Sequence, residues 1–510
     1  MYTAVVTPLF KNKGDKNDTN SYRGISVLPS IAKLFEKILA YQIIIFLNVN
    51  NLLFKGQHGF RSHHSCETAL HELLSEINTI RDKRLICLLL FIDFRKAFDL
   101  VDSSKLIRKL FHLGFDNNAL ELIKNYFEDR EQTVKFNNKN STFQSINLGV
   151  PQGSVLGPLF FLIFINDLAF ILDLMCKMFA DDTTLYDKNS DLDSLIRKFK
   201  HDLDPLINWC KYNKLDLNWS KTYFMFITNK RIKNKLPKHI TIDGNDVEVV
   251  ESFKLLGVTI DNKLTFSKYC SDVKKNINIK IFSIKRLFYL STAVKIQFFK
   301  TFVMPYFDYC LSILIYFPKI AIQKLSNCFN NCLYNLFKFK IDVGENETAS
   351  NEHINDFNNE LQKYGLFSFQ HRLLNKILAI VHEIKTNEKA PPLLKNMLVM
   401  HKDSGALAPN TRQLRNRIIN IEELPSSKFF SQTFSYVSKI ILCNFNNFDL
   451  SSAQFKEFIV TDMNLHLSTF SHLFSNFNIQ YSSYCTNWKK FHQKKNLEKT
   501  KRKKKSPSKL

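Results

Sequence analysis

The sequence predicts a mixed α/β first half joined to an all-helical second half. Two observations predict it. Up to about residue 261, short apolar runs of strand character alternate with segments whose apolar residues recur at helical spacing. Beyond 262 the strand-like runs stop, and long, basic, apolar-periodic stretches replace them. At 510 residues the chain is also too long for one core, so roughly two to four domains are expected.

The elements follow in order. "YTAVVTPLF" reads as a strand and "KNKGDKNDTN" as a polar turn region. "SIAKLFEKILAYQIIIFL" places Ile31, Leu34, Phe35, Ile38 and Leu39 at helical spacing. "LICLLLFID" is an unbroken apolar run that ends in an acid, the pattern of a buried strand whose last residue emerges at an edge. "SKLIRKLFHLG" reads as a helix stopped by Gly114. The Gly- and Pro-dense "NLGVPQGSVLGP" is a loop, followed by the apolar helix "LFFLIFINDLAFIL". "CKMFADDTTLYDK" predicts a hairpin with Asp181 and Asp182 at or beside its turn. From Leu192 to Cys210 one helical face stays apolar, and Pro205 splits the helix, with Asp204 capping the second piece. "TYFMFIT" and "FKLLGVTID" (253–261) are further strands, with a Gly-Asn turn signal between them in "TIDGNDVEVVE". All these strands are expected to share one sheet. "SDVKKNINIKIFSIKRLFYL" and "AIQKLSNCFNNCLYNLFKF" begin the helical half.

Charge narrows the function. Lys and Arg number 71 against 47 acids, a balance of +24 that favours a polyanionic partner such as nucleic acid. The ten cysteines include no C-x-x-C pair, and Cys328 and Cys332 have no histidine at zinc-finger spacing, so buried thiols are expected rather than zinc. The start of the chain lacks a charged region followed by an apolar core, so no secretory signal is expected. The longest apolar runs, 85–92 and 160–165, fall far short of a span of about 20 residues, so a soluble, intracellular protein is expected.

If the strands ending at Asp93 and flanking Asp181 are neighbours, three carboxylates converge. Two unit charges about 4 Å apart repel by roughly 4 kcal/mol at an effective dielectric of 20. Such a cluster takes up protons or binds cations. Oxygen ligands with open positions suit Mg²⁺, which keeps waters and substrate phosphates in its shell. An Asp-Asp pair at a turn also arises simply because Asp tolerates turn geometry.

The ordered blocks decide between those readings. "VVTPLFKNKGDKNDTNSYRGISVLPSIAKLFEKIL", "QHGFRSHHSCETAL", "LLLFIDFRKAFDLVD", "GVPQGSVLGPLFFLIFINDL", "MFADDTTLY", "LDLNWSKT" and "FKLLGVTID" follow one another. In that order they resemble the reverse transcriptases of non-LTR, LINE-like retrotransposons of the jockey and CR1 type. The resemblance is strong to about residue 261 and looser beyond. It implies a right-hand polymerase fold, with fingers and palm over 1–261 and a helical thumb over 262–341. The acidic stretch 342–356 reads as a linker, 357–488 as a helical C-terminal region, and 489–510 as a lysine-rich disordered tail that binds phosphates or serves nuclear import.

The resemblance also implies roles. Asp93 and Asp181 look like the main metal ligands, with the Phe94 backbone carbonyl nearby, and Asp182 completes the triad. Phe98 occupies the position that crowds a ribose 2′-OH. Gln152 looks like the residue beside the incoming dNTP, Lys11 and Arg23 like the finger cations on its triphosphate, and Lys221 like the proton donor to pyrophosphate. Gln57 and Arg61 lie in the block expected to touch template. Asp99 and Asp102 are expected to be structural, and Gly149, Gly153 and Gly157 to shape the loop. The implied cofactors are two Mg²⁺ ions, with Mn²⁺ as a substitute. The implied partners are an RNA template, a DNA primer or target, and dNTPs, with no membrane and no zinc, in nucleus or cytoplasm with the element RNA. Two departures stand out. Gly24 replaces the Pro usual in the family, which should loosen the finger strand. The fingers begin almost at Met1, without the endonuclease such elements commonly carry, and no nuclease-like or RNase H-like constellation follows. A truncated element is therefore expected, with a catalytically silent nucleic-acid-binding relic as the alternative.

Overall fold

The computed structural model describes residues 3–232, 235–285, 289–337, 359, 361–398, 433–444, 450–451, 453–455 and 459. The expected linker and the basic tail lie outside the described residues, as does most of 357–488. The chain divides into two compact units, Met1–Glu251 with Pro391–Leu393, and Ser252–Ala390 with Leu394–Leu510. The division falls before the hairpin Ser252–Asp261 rather than after it, so that hairpin belongs to the second unit.

The first unit is a mixture of helix and sheet. In chain order it holds β1 (Thr3–Phe10), β2 (Tyr22–Val27), α1 (Ser30–Val49), α2 (Cys66–Asp82) and β3 (Ile86–Ile92). There follow α3 (Ser103–His112), α4 (Asn117–Phe127), β4 (Glu131–Phe136), β5 (Lys139–Asn140), β6 (Gln144–Ser145) and α5 (Leu156–Ile165). It continues with β7 (Met175–Phe179), β8 (Asp182–Asn189), α6 (Leu192–Asp202), α7 (Asp204–Asn213), β9 (Tyr223–Ile227), β10 (His239–Ile242) and β11 (Asn245–Glu248).

These strands do not share one sheet. β7-β8-β3-β9 form a four-stranded antiparallel sheet, and β2-β1-β4-β5 a separate sheet in which β1 runs parallel to β4. β10 and β11 pair only with each other. The parallel β1–β4 partnership spans more than a hundred residues of chain, and nothing local to either strand announces it.

β3 is buried at every position because both of its faces are covered. Ile86, Leu88, Leu90 and Ile92 enter the main core with residues of α3, α5, α6 and α7. The alternate residues Cys87, Leu89 and Phe91 are equally buried on the other face, the side available to α2, which packs on this strand. Each large apolar side chain so buried contributes about 1.5–3 kcal/mol. This is why the run reads as continuous rather than alternating.

α1 forms as expected but turns the other way. Ile31, Leu34, Phe35 and Ile38 are exposed, while Glu36, Ala40, Ile43 and Leu47 are buried. The partner decides this. α1 packs on α5, and buried Glu36 accepts a hydrogen bond from the Val155 amide at 2.6 Å, beside the start of α5. A carboxylate there complements the exposed amides of a helix N-terminus. Gly24 leaves β2 intact, with the strand running unbroken from Tyr22 to Val27 and Gly24 paired with Pro8. Asp204 does not cap its helix by a side-chain bond; it is the first helical residue, beside Pro205.

The second unit opens with β12 (Ser252–Leu255) and β13 (Val258–Asp261), an antiparallel hairpin where a single strand was expected. Leu256 and Gly257, both at positive φ, make its turn. α8 (Ser267–Lys285), α9 (Thr292–Phe298), α10 (Met304–Asp308) and α11 (Lys319–Phe337) follow. Further helices cover Phe369–Thr386 and Phe434–Asn444. Phe266 stacks on Phe317 at 3.8 Å between ring centroids, and Arg372 pairs with Asp308. No helix among the described residues is long and apolar enough to cross a membrane.

Asp102 shows the structural acid that the sequence expected. Its carboxylate accepts from the Ser104 and Lys105 amides at 3.1 and 3.3 Å and pairs with Lys214 at 3.1 Å. Burial alone pushes its carboxyl up, but the bonds from Ser104 and Lys214 outweigh that and lower it from 3.8 to about 2. A folded value below the unfolded one stabilises above the unfolded pKa and is lost as pH falls through the folded pKa. Asp102→Ala should therefore cost about 1–2 kcal/mol near neutral pH. Urea titrations at several pH values should show the difference from wild type shrinking between pH 3.8 and about 2.

Candidate active site

Strand register builds the site. β8 pairs antiparallel with β3, with Ile92 opposite Thr183. The next step along β3 brings Asp93 towards Asp182, the first residue of β8. Phe179 pairs with Asp182, so Ala180 and Asp181 form a two-residue turn between β7 and β8. Asp181 therefore sits at the tip of the hairpin beside Asp93.

The acids sense one another. Desolvation first, and then the charge of Asp93, raise the Asp181 carboxyl, while Arg23 opposes the rise. Although part of Asp182 reaches solvent, desolvation by the surrounding protein, followed by the charges of Asp181 and Asp93, pushes it up to about 6. Asp93 is held from the other side: Asn218 Nδ2 donates to its Oδ2 at 2.8 Å, and Lys221 Nζ lies 3.5 Å from the same oxygen. Among the described residues, no three His, Cys, Asp or Glu side chains gather closely enough to cage an ion by themselves. An all-oxygen set of mutually repelling carboxylates, open on one side, nevertheless fits a hard divalent cation that takes its other ligands from water or phosphate.

A cavity of about 1060 Å³ lies against the acids. It brings together Lys11, Arg23, Asp93, Phe94, Phe98, Gln152, Asp181 and Lys221, residues contributed by separate segments of the chain. Asp182, Gln57 and Arg61 do not line it. Lys11 Nζ donates to the Asn20 carbonyl at 2.8 Å, which holds the β1–β2 connection closed. Gln152 Nε2 donates to Asp99 Oδ1 at 3.0 Å. The Ser26 amide of β2 donates to the Gln152 carbonyl at 2.7 Å. Gly153, at φ +126°, lies so near that a Cβ would stand 2.4 Å from the Ser26 carbonyl oxygen. The loop thus needs Gly there to meet the strand. Phe98 rides on the 3-10 turn Ala97–Leu100, stacked on buried Phe161 at 4.2 Å.

A family model for reverse transcriptase (RNA-dependent DNA polymerase) matches residues 11–260. Residues 11–260 belong to the reverse transcriptase family. Among curated relatives, the probable RNA-directed DNA polymerase from transposon X-element of Drosophila melanogaster is 30% identical over 54% of this chain and 31% of its own length. The RNA-directed DNA polymerase from mobile element jockey of the same organism is 25% identical over 63% and 36%. That from transposon BS, named a probable RNA-directed DNA polymerase, is 31% identical over 52% and 30%. The chain spans about a third of the length of these relatives. Among solved structures, apo telomerase from Candida tropicalis matches at 11% identity and a TM-score of 0.38, over 76% of this chain and 67% of that one.

Two expected contacts of the reverse transcriptase domain take another part. Gln57 is buried, and its amide is spent on the acidic turn. Its Oε1 accepts from the Ala180 and Gly59 amides at 2.9 and 2.8 Å, and its Nε2 donates to the Ala180 carbonyl at 3.3 Å. Ala180 needs such a clamp because it holds φ +57°, a region unfavourable for a residue with a Cβ. Arg61 Nη1 in turn donates to the Phe54 and Gln57 carbonyls at 3.0 and 3.2 Å. Gln57 thus braces the turn directly, and Arg61 braces the loop that carries Gln57.

Sequence reasoning missed the support beneath. Lys177 of β7 reaches Glu72 and Glu76 of α2 at 2.8 and 3.2 Å, and His58 meets Glu72 at 3.2 Å. Burial alone pushes Glu72 up, but His58 and Lys177 hold its carboxyl below the usual range. A lysine inside the apolar strand "CKMF" was the available signal. Gly59 was missed as well, where a Cβ would lie 2.2 Å from the Ala180 nitrogen.

Replacing Gln57 by Leu should cost about 1–3 kcal/mol, since it strips buried backbone groups of their partner. Denaturant unfolding reads this directly. Unchanged stability with weakened RNA binding would return Gln57 to a template contact.

Proposed function

We propose that the chain is the RNA-directed DNA polymerase of a non-LTR retrotransposon, extending a primer 3′-OH with dNTPs on an RNA template. The observation that carries this reading is the single cavity lined by Asp93 and Asp181 together with Lys11, Arg23 and Lys221. Acids that select cations and cations that select phosphates meet around one space large enough for a nucleoside triphosphate. On this reading the β7-β8-β3-β9 sheet is the palm, the β1–β2 hairpin is part of the fingers, and 262–341 is the thumb.

Asp93 and Asp181, with the Phe94 carbonyl and Asp182, would hold divalent cations, Mg²⁺ by the oxygen-only donor set. Bound there, two such ions stabilise the attacking and leaving oxygens of an in-line phosphoryl displacement. The chain's own residues do the rest. Asn218 fixes one oxygen of Asp93 and so leaves the other for a ligand. Arg23 offers a guanidinium to the triphosphate, which accepts paired N–H donors. Lys221, exposed and 3.5 Å from Asp93, is placed to give a proton or a charge to departing pyrophosphate. Phe98 is kept from yielding by the Phe161 ring behind it, so a 2′-OH meets a rigid wall. Gln152, tied to Asp99, presents the loop beside the nucleotide.

Primer extension on an RNA template with dNTPs and Mg²⁺ tests the proposal. Asp181→Asn should abolish extension and leave RNA binding nearly intact; retained extension would remove Asp181 from the chemistry.

Phe98→Ala should raise ribonucleotide incorporation in the same assay, because the wall is gone. Unchanged discrimination between dNTP and NTP would leave Phe98 as a core residue alone.

A further inference from the structure

A second cavity, of about 310 Å³, adjoins the first and shares Gly24, Asp99, Pro151 and Gln152 with it. Arg130, just before β4, lines this space. The residue is only 5% exposed. Its Nε has no hydrogen-bond partner. Among the described residues no carboxylate lies within ion-pair distance of it. The contact it does make is with the Tyr126 ring, 5.2 Å from the guanidinium carbon.

A purely structural role leaves much unexplained. A cation–π contact satisfies no N–H donor of a guanidinium, and the buried Nε of Arg130 is left without a partner. The acid whose charge reaches Arg130 is Glu36, and both of its oxygens are engaged, one by the Tyr126 hydroxyl at 3.0 Å and the other by the Val155 amide. Burial pulls the Arg130 pKa down from the ordinary guanidinium value, so holding the charge here is costly. A buried charge without a partner is the arrangement that proteins avoid unless a ligand completes it. Asp99 is the acid among the lining residues, and its Oδ1 already accepts from Gln152.

We propose that Arg130 binds a phosphate group in this second cavity, supplied by the backbone of the template strand. The planar fork of a guanidinium matches two phosphate oxygens at once. The cavity volume is at the lower end of the range for small-ligand pockets, enough for a phosphate and its sugar. Its shared wall with the first cavity places the phosphate next to Gln152 and Gly24, where a strand paired with an incoming nucleotide passes. The identity of that strand rests on the polymerase reading; the phosphate subsite does not. Free phosphate or pyrophosphate is the other source of the same chemistry.

The test uses the full chain, with Arg130→Met and Arg130→Lys. Binding of a labelled single-stranded RNA is followed by anisotropy across a salt series, without nucleotides or metal. Loss of one phosphate contact should flatten the slope of log K against log salt by about 0.7 in the Met variant. The Lys variant should keep the slope but bind more weakly, because it keeps the charge and loses the fork. Thermal melting with added inorganic pyrophosphate is the second arm. A stabilisation present in wild type and lost in both variants, with an unchanged RNA slope, assigns the site to the free anion. An unchanged slope with no such stabilisation overturns the proposal and leaves Arg130 as a structural cation over Tyr126. Should the Met variant not fold, undiminished RNA affinity and pyrophosphate response in the Lys variant overturn it equally. Because binding is read without extension, a chain that shows the slope change but never extends a primer would sink the polymerase reading and leave this one.

Discussion

The site depends on a two-residue turn that the chain would not choose for itself. Ala180 stands at positive φ, which costs roughly 1–3 kcal/mol for a residue of that kind. Gln57 bonds both of its backbone groups, and Gly59 lets the supporting loop approach where any side chain would collide. The turn then delivers Asp181 at the tip, while the β3–β8 register delivers Asp93 and Asp182 on either side of one strand boundary. Three acids from two distant segments meet because one hairpin is held in an awkward shape.

Such a gathering works against stability, and the fold places compensation close by. Desolvation first, and then the charges of neighbouring acids, raise the Asp181 and Asp182 carboxyls, so the protein leaves the repulsion between them unrelieved. Beneath the same hairpin, Lys177 is pinned by Glu72 and Glu76 on α2, so charges that need partners have them where the strand needs anchoring. Removing one member of such a buried set strands the others, so the network resists piecemeal change. Buried ion pairs hold the hairpin in place beneath the acids that line the cavity.

Much of this was legible in the sequence. The unbroken run 85–92 and the acid after it located β3 and Asp93, and the "FADD" hairpin formed with the acids at its turn. Gly114 follows the last turn of α3 at φ +89°, as a helix stop should. The failures share one cause: they concern partners that local pattern does not encode. The apolar spacing of α1 predicted a helix but not which face α5 would cover, and Glu36, a charged residue, turned out to be the buried one. "FKLLGVTID" has the composition of one strand, but Leu256 and Gly257 both take positive φ and fold it into two. The resemblance assigned Gln57 and Arg61 to template, and their spacing could not reveal that the Gln57 amide bonds the turn and that Arg61 Nη1 bonds the backbone of its own loop. The same ignorance of partners hid Arg130, an arginine that would pass for an ordinary surface cation in the sequence.

The openness of the acidic site is itself a consequence of how it is built. A cage of three or four ligands on one rigid element would bind an ion tightly and shield it from substrate. Here Asp93 ends a central strand, Asp181 tips a hairpin, and Asn218 occupies one oxygen of Asp93 from a third segment. Acids so dispersed would leave coordination positions to be filled from outside, as suits a cation that keeps waters and phosphates in its shell. On the proposed reading the nucleotide completes the site rather than entering a finished one. The surrounding cations then have a clear division of labour. Lys11 and Arg23 belong to the β1–β2 hairpin, and Lys221 is tied to the other sheet through Asp93, so the cations around the cavity come from two sheets that share no strand.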